Sequence, residues 1–187
     1  NHMAHLDLEE QEQLDQLKHF WKKYGNAISW ALTIVLLAVA AWNGYQYWQN
    51  KQAAQAAVLF DQLQQANQAK DVERTTRMAH DLSDKFGSTA YAAQGNLLAA
   101  QVLVNQGDLS AASALLKNVV EHGSDAGLQS VARLRLAALQ AENKSLDEAL
   151  TTLKASFPKA FEALAADRRG DVLMLQNKSE EAQAEYL

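Results

Sequence analysis

The sequence has no cysteine. That excludes a disulfide framework, a thiolate nucleophile and a lipid-modified cysteine anchor, and it suits an oxidising compartment where a stray thiol is a hazard. Proline occurs once, at Pro158, and glycine eight times, so little interrupts a helix. No stretch sustains the alternation of β-branched residues that a half-buried strand requires. Basic residues are few and dispersed: from Lys51 onward 14 Lys and Arg face 17 Asp and Glu, a net charge of −3. A surface of that kind lacks the basic stripe needed by nucleic acid. Catalytic signatures are missing as well, with no G-x-S-x-G elbow, no G-x-G-x-x-G turn and no phosphate loop. His2, His5, His19, His80 and His122 fall in no metal-ligand spacing. Asp167 and Asp171 lie one helical turn apart, a spacing available to an acid and a base, but beside Arg168 and Arg169 they read first as a solvated helix face. The expectation is a protein that is not an enzyme, without metal or cofactor.

One absence is more informative than these. Between Lys23 and Lys51 the chain runs for 27 residues without a charged side chain, and Ala27 to Trp42 is almost wholly apolar. About 20 helical residues cross a hydrocarbon core roughly 30 Å thick, and a helix does so because lipid offers no partner for free backbone groups. Residues 25–48 are therefore expected as a membrane-spanning helix. Lys18, Lys22 and Lys23 precede it, whereas only Lys51 follows closely, so the positive-inside bias places residues 1–24 in the cytoplasm and the rest outside. Aromatic residues sit at both edges, Trp21 and Tyr24 before, Trp42, Tyr45, Tyr47 and Trp48 after, as suits the headgroup layer. A cleaved signal peptide fits poorly, because its apolar region is about 7–15 residues long and ends in small residues, whereas this run leads into Trp42-Asn-Gly-Tyr-Gln-Tyr-Trp48. Asn1-His2, ahead of Met3, reads as a cloning scar. Ser29, Thr33, Asn43 and Gly44 offer contacts to another helix in lipid, and such groups are equally common without a partner.

Residues 49–187 are rich in Ala, Leu, Gln and Glu, with apolar positions recurring at three- and four-residue steps; an all-α domain is predicted. The domain repeats internally. Gly107-Asp-Leu-Ser-Ala-Ala112 aligns with Lys144-Ser-Leu-Asp-Glu-Ala149 and Asn177-Lys-Ser-Glu-Glu-Ala182. Small residues recur twelve positions earlier, at Ala100, Ala137 and Gly170, and bulky ones four positions later, at Leu116, Leu153 and Tyr186. A period in the thirties of helix, tight turn and helix describes a tetratricopeptide-like array. Antiparallel helices pack closely where both are small at the crossing, so Ala100 should meet Ala112, Ala137 meet Ala149, and Gly170 meet Ala182. Gly107-Asp108 suits a left-handed helix end, and Ser145-Leu-Asp-Glu148 reads as a capping box. The sequons at Asn143 and Asn177 fall in the same turns and read first as turn chemistry. A fainter copy pairs Val58 to Ala69 with Val72 to Phe86, Thr75 taking the small slot. The approximate units are 53–90, 91–127, 128–160 and 161–187. The first helix of each unit should line a concave face, and counting from the small slots places Gln94, Gln101, Asn105, Glu142, Asp167 and Asp171 there, a polar and mildly acidic partner-binding groove.

Several runs carry a family resemblance that covers nearly the whole chain: Leu17-Lys-His-Phe-Trp-Lys-Lys-Tyr-Gly25, Gly44-Tyr-Gln-Tyr-Trp48, Ser130-Val-Ala-Arg-Leu-Arg-Leu-Ala137 and, most specific, Ala166-Asp-Arg-Arg-Gly-Asp171. With them the sequence resembles the YfgM family of ancillary SecYEG translocon subunits. The resemblance implies a bacterial inner-membrane protein with one span and a periplasmic tetratricopeptide-like domain. It also implies association with the SecYEG translocon and with a PpiD-type periplasmic chaperone, assistance to newly translocated, unfolded secretory proteins, no catalytic residues, and a further helical stretch after the position of Leu187. The resulting expectation is an anchored scaffold that holds a helical array near a protein-conducting channel. An array serving cell-envelope synthesis or cytochrome maturation is the alternative within the same class, and a tethered hydrolase or isomerase the alternative outside it. The sequence leaves the oligomeric state open.

Overall fold

The structure is a computed structural model that describes residues 2–187, with side chains from Leu8 onward. Asn1 of the expected scar and the side chains of His2, His5 and Asp7 lie outside the described residues. Eight α-helices follow in order: α1 (His2–Gln68), α2 (Val72–Phe86), α3 (Ala90–Asn105), α4 (Leu109–His122), α5 (Ala126–Glu142), α6 (Leu146–Leu153), α7 (Lys159–Leu175) and α8 (Ser179–Tyr186). The chain divides into two compact units, one ending at Asn50 and the other Lys51–Leu187.

In the first unit the uncharged run is helical throughout, and among the described residues it is the one helix long and apolar enough to cross a membrane. Its apolar side chains point away from any protein core: Trp30, Leu37 and Trp42 are all more than half exposed. Thr33 donates its hydroxyl to the Ser29 carbonyl at 2.8 Å, so its one donor is satisfied within the helix. Near the end of the run, Tyr45 stacks on Trp48 with ring centroids 6.4 Å apart, and Gln49 donates to the Tyr45 hydroxyl at 2.7 Å.

The second unit is an all-α, tetratricopeptide-like array in which the end of α1 pairs with α2, α3 with α4, α5 with α6 and α7 with α8. The segment expected as a separate helix from Val58 is the last part of α1, since neither glycine nor proline breaks the chain between Tyr45 and Gln68. Four turns of one design join the pairs. Lys70, Gly107, Lys144 and Asn177 each adopt a left-handed conformation, with φ of 60, 83, 62 and 61°. At each turn the next residue's N–H reaches five residues back: Asp71 to Ala66, Asp108 to Leu103, Ser145 to Gln140 and Lys178 to Leu173, at 2.8–3.0 Å. This is the Schellman arrangement, which satisfies carbonyls that a helix end would otherwise leave open. The capping box expected at Ser145 does not form, because its N–H already serves the Gln140 carbonyl and its side chain makes no cap bond. Side-chain caps close other helices instead: Asp71, Thr89, Asp108 and Asp125 accept from Arg74, Ala92, Ala111 and Leu128 N–H.

The small-residue slots are buried inside the array. Ala100, Ala112, Ala137, Ala149 and Ala182 are all 2% exposed or less, and Gly170 is buried with them. Leu116 and Leu153, one turn after the slots, are fully buried between hairpins, each contributing about 1.5–3 kcal/mol by leaving water. In the first pair Leu63 and Thr75 take the crossing, and the buried Thr75 hydroxyl donates to the Asp71 carbonyl at 2.7 Å, which removes the cost of burying it. Phe60 of α1 meets Tyr91 of α3 with ring centroids 5.6 Å apart. Among the described residues α3 touches α5 and α5 touches α7, whereas α4 and α6 do not meet, nor do α6 and α8. The first helices thus pack closer than the second ones, which curves the array with the first helices on its inner side.

Candidate interaction groove

Once packed, α3 has little surface left. After Ala90 its exposed positions are Gln94, Gln101 and Asn105, with Leu98 half-buried between them, a stripe at helical spacing. The equivalent stripe of α5 is Val131, Arg135, Ala138 and Glu142, and that of α7 is Leu164, Arg168, Asp171 and Leu175. In the last part of α1 it is Ala57, Asp61, Gln64 and Gln68. Side by side, these stripes form the open face of the inner helix row.

Five of the six residues expected in the groove fall on these stripes: Gln94, Gln101, Asn105, Glu142 and Asp171. Gln101 donates to the Asn105 side-chain oxygen at 3.2 Å. Asp167 lies elsewhere. It occupies the repeat position of Leu97 and Leu134, which face the following hairpin, so at the last unit its carboxylate is left in solvent. Arg135, Ala138 and Arg168 also belong to the stripes, outside the set expected from the small slots, and the repeat register leads from Leu98 and Gln101 directly to them. With those guanidinium groups the four stripes carry Arg135 and Arg168 against Asp61, Glu142 and Asp171, a face with one net negative charge that holds cations as well as acids.

The Ala166-Asp-Arg-Arg-Gly-Asp171 run turns out to fasten the last hairpin. Arg169 donates through Nε to Glu185 of α8 and through Nη1 to the Leu153 carbonyl that ends α6, both at 2.9 Å. Gly170 leaves room for the Tyr186 ring, since a Cβ there would stand 2.6 Å from Tyr186 Cζ. The Tyr186 hydroxyl donates to Asp171 Oδ1 at 2.7 Å, and this bond, with the nearby carboxylate charges, pushes the tyrosine pKa up to about 12. Arg168 lies over Asp167 and Asp171 at 3.8 and 3.7 Å in solvent. The expected pairing of both arginines with the two aspartates therefore holds for Arg168 alone.

Between α3, α4 and α5 the inner face is indented. A hollow of about 160 Å³ has Ala100, Val104, Leu116, Ala138 and Leu139 as its walls and Gln101 and Arg135 at its edge. Along the whole face amides, which donate and accept without demanding charge, alternate with small apolar surfaces and isolated ions.

The chain matches the tetratricopeptide repeat-like domain family over residues 18–187. It is 33% identical to a protein of Neisseria gonorrhoeae over 98% of this chain and 87% of that protein, and 34% identical to one of Haemophilus influenzae over 88% and 80%. A third relative, from Escherichia coli, is 30% identical over 95% and 85%. Each is named an ancillary SecYEG translocon subunit, and none of the three names describes an enzyme. With a tetratricopeptide-like array over its second unit and relatives of this closeness along most of its length, the chain belongs to the family of ancillary SecYEG translocon subunits.

Proposed function

We propose that this protein is a non-catalytic, single-pass adaptor of the SecYEG translocon, anchored by residues 25–48 in the bacterial inner membrane. Its first 24 residues are cytoplasmic and its helical array is periplasmic. The array brings a PpiD-type chaperone and newly translocated, unfolded chains together at the exit of the channel. The observation that carries this reading is the joining, in one chain, of a helix whose apolar side chains contact no protein core to an array with an open, amide-lined inner face. The family's names supply the assembly to which the anchor belongs. The lysines before the span, against the single Lys51 soon after it, support the orientation.

The physical benefit of the anchor is effective concentration. A groove tethered near the channel mouth meets an emerging segment at a local concentration in the millimolar range, so even weak individual contacts are occupied. The test is cross-linking and affinity purification of the full-length protein from membranes in mild detergent, beside a control in which residues 25–48 are replaced by an unrelated span. Recovery of SecY, SecE and SecG with a periplasmic chaperone, reduced in the control, is expected. Recovery of a different envelope complex without the translocon would leave the architecture standing and remove the assigned role.

A further inference from the structure

The geometry points to a side-chain socket at the α3–α5 junction that takes one aliphatic or phenyl side chain of an extended polypeptide, with an acidic neighbour of that residue paired to Arg135. This rests on the adaptor reading and names what its groove selects. Three observations converge. The first is size: the hollow measures about 160 Å³, and a void of about 150 Å³ holds a benzene-sized group. The second is chemistry, for the walls are aliphatic and the polar groups, Gln101 and Arg135, stand only at the edge. An apolar side chain entering there leaves water without stranding a polar group.

The third observation is charge. Arg135 is exposed, and among the described residues it makes no ion pair and no side-chain hydrogen bond. The acid of its own stripe, Glu142, is seven residues on, about 10 Å along the helix. Its repeat counterpart Arg168 has the carboxylates of Asp167 and Asp171 beside it, at 3.8 and 3.7 Å. The same register puts Asp171 where Ala138 stands, so a carboxylate takes the place of the socket's small wall residue at the α5–α7 junction. Arg135 therefore presents a planar, permanently charged fork beside an apolar hollow, a combination suited to a carboxylate adjoining a hydrophobic side chain. Gln94, Gln101 and Asn105 line the neighbouring stripe, and amides of this kind serve the N–H and C=O groups of an extended backbone in either direction. A helix satisfies its own backbone and would have no use for them, which favours an unfolded segment as the occupant.

The experiment uses the full-length protein in nanodiscs and a set of short fluorescent Gly/Ser peptides that differ only in a central pair: Leu-Glu, Leu-Gln, Leu-Lys or Ser-Glu. Fluorescence anisotropy gives relative affinities, and methyl NMR shifts of Leu116 and Leu139 locate the bound side chain. Leu-Glu should bind about tenfold more tightly than Leu-Lys and shift both methyls, while Ser-Glu should shift neither. Arg135→Gln should abolish the Glu-over-Lys preference and leave Leu-Gln unchanged; Arg135→Glu should invert it. Ala138→Phe, at an exposed position, should remove binding of every leucine peptide. Equal affinities across the set, or a preference that survives Arg135→Gln, would overturn the socket. Translocon recovery by cross-linking is measured on the same preparations. Wild-type protein that recovers the translocon but shows no peptide preference refutes the socket alone. Selective peptide binding without translocon recovery refutes the assigned assembly and leaves the socket chemistry standing.

Discussion

Arg168 and Arg169 are adjacent in sequence and differ sharply in what their removal should cost. The Arg169 side chain is 20% exposed, its partner Glu185 is 29% exposed, and its two bonds are each 2.9 Å long. A charge-assisted bond shielded from solvent contributes about 1.5 kcal/mol at the low end of its range, and the bond to the Leu153 carbonyl about 1 kcal/mol more. Arg169→Ala should therefore weaken the docking of α8 by about 2–3 kcal/mol. The Arg168 side chain is 53% exposed and approaches its aspartates no closer than 3.7 Å, so Arg168→Ala should cost about 0–0.5 kcal/mol. Native-state hydrogen exchange followed along α8 reads this directly, because a terminal hairpin opens locally before the array unfolds. A difference of about 2 kcal/mol corresponds to roughly thirtyfold faster exchange of α8 amides in Arg169→Ala, against about twofold or less in Arg168→Ala. A double-mutant cycle of Arg169→Ala with Glu185→Ala should return a coupling of about 1 kcal/mol. Equal exchange in the two single variants would refute the reasoning, since burial and distance would then not decide the energy.

Three more outcomes are expected. Gly170→Ala forces the Tyr186 ring aside, so near-ultraviolet circular dichroism should lose tyrosine signal and α8 should exchange faster while the far-ultraviolet helix signal stays nearly constant. Ultraviolet titration should place Tyr186 near pH 12, and Asp171→Asn should move it back toward 10.0. Because the folded-state value is the raised one, the stability linked to the tyrosine's ionisation is fully present below pH 10 and is lost as the pH climbs from 10 towards 12. At the left-handed turn positions, Lys144→Gly should stabilise the array by about 0.5–1 kcal/mol and Gly107→Ala destabilise it by about 1 kcal/mol, measured by thermal unfolding, with the sign set by φ.

Much of the fold was legible because the repeat is a sequence property with a local cause. Small residues must sit where helices cross, and the spacing of Ala100, Ala112, Ala137, Ala149, Gly170 and Ala182 marked three crossings in register. The repeat marked where the turns fall, but their left-handed conformation was legible only where glycine announced it. Lys70 and Lys144 adopt the same left-handed conformation as Gly107, but lysine carries no preference for it; the flanking helices impose the turn, and the Schellman bonds hold it. The capping box at Ser145 failed for a related reason. A four-residue pattern cannot show that its backbone donor is already committed to a carbonyl five residues back.

The groove was half legible. Helical steps from the small slots found the exposed amides of α3, whereas Arg135 and Ala138 went unremarked because their significance is joint, arising from a hollow whose walls come from three helices. The Ala166-Asp-Arg-Arg-Gly-Asp171 run shows the opposite case. Its aspartates read in the sequence as part of a partner surface, yet Asp171, like Arg169 and Gly170 beside it, spends its chemistry within the last hairpin, on Tyr186, while Arg169 holds Glu185 and the Leu153 carbonyl. Substitutions there that lower partner capture would act first through the order of α8, so they cannot by themselves locate a binding face. Arg135 and Ala138 have no such internal duty. They are exposed on a helix that is packed on both sides, and changing them perturbs recognition while leaving the hairpins intact. A loss of capture at Arg135 that spares α8 exchange would therefore assign recognition to the inner face, while a loss at Arg169 that tracks α8 exchange would assign that run to the architecture.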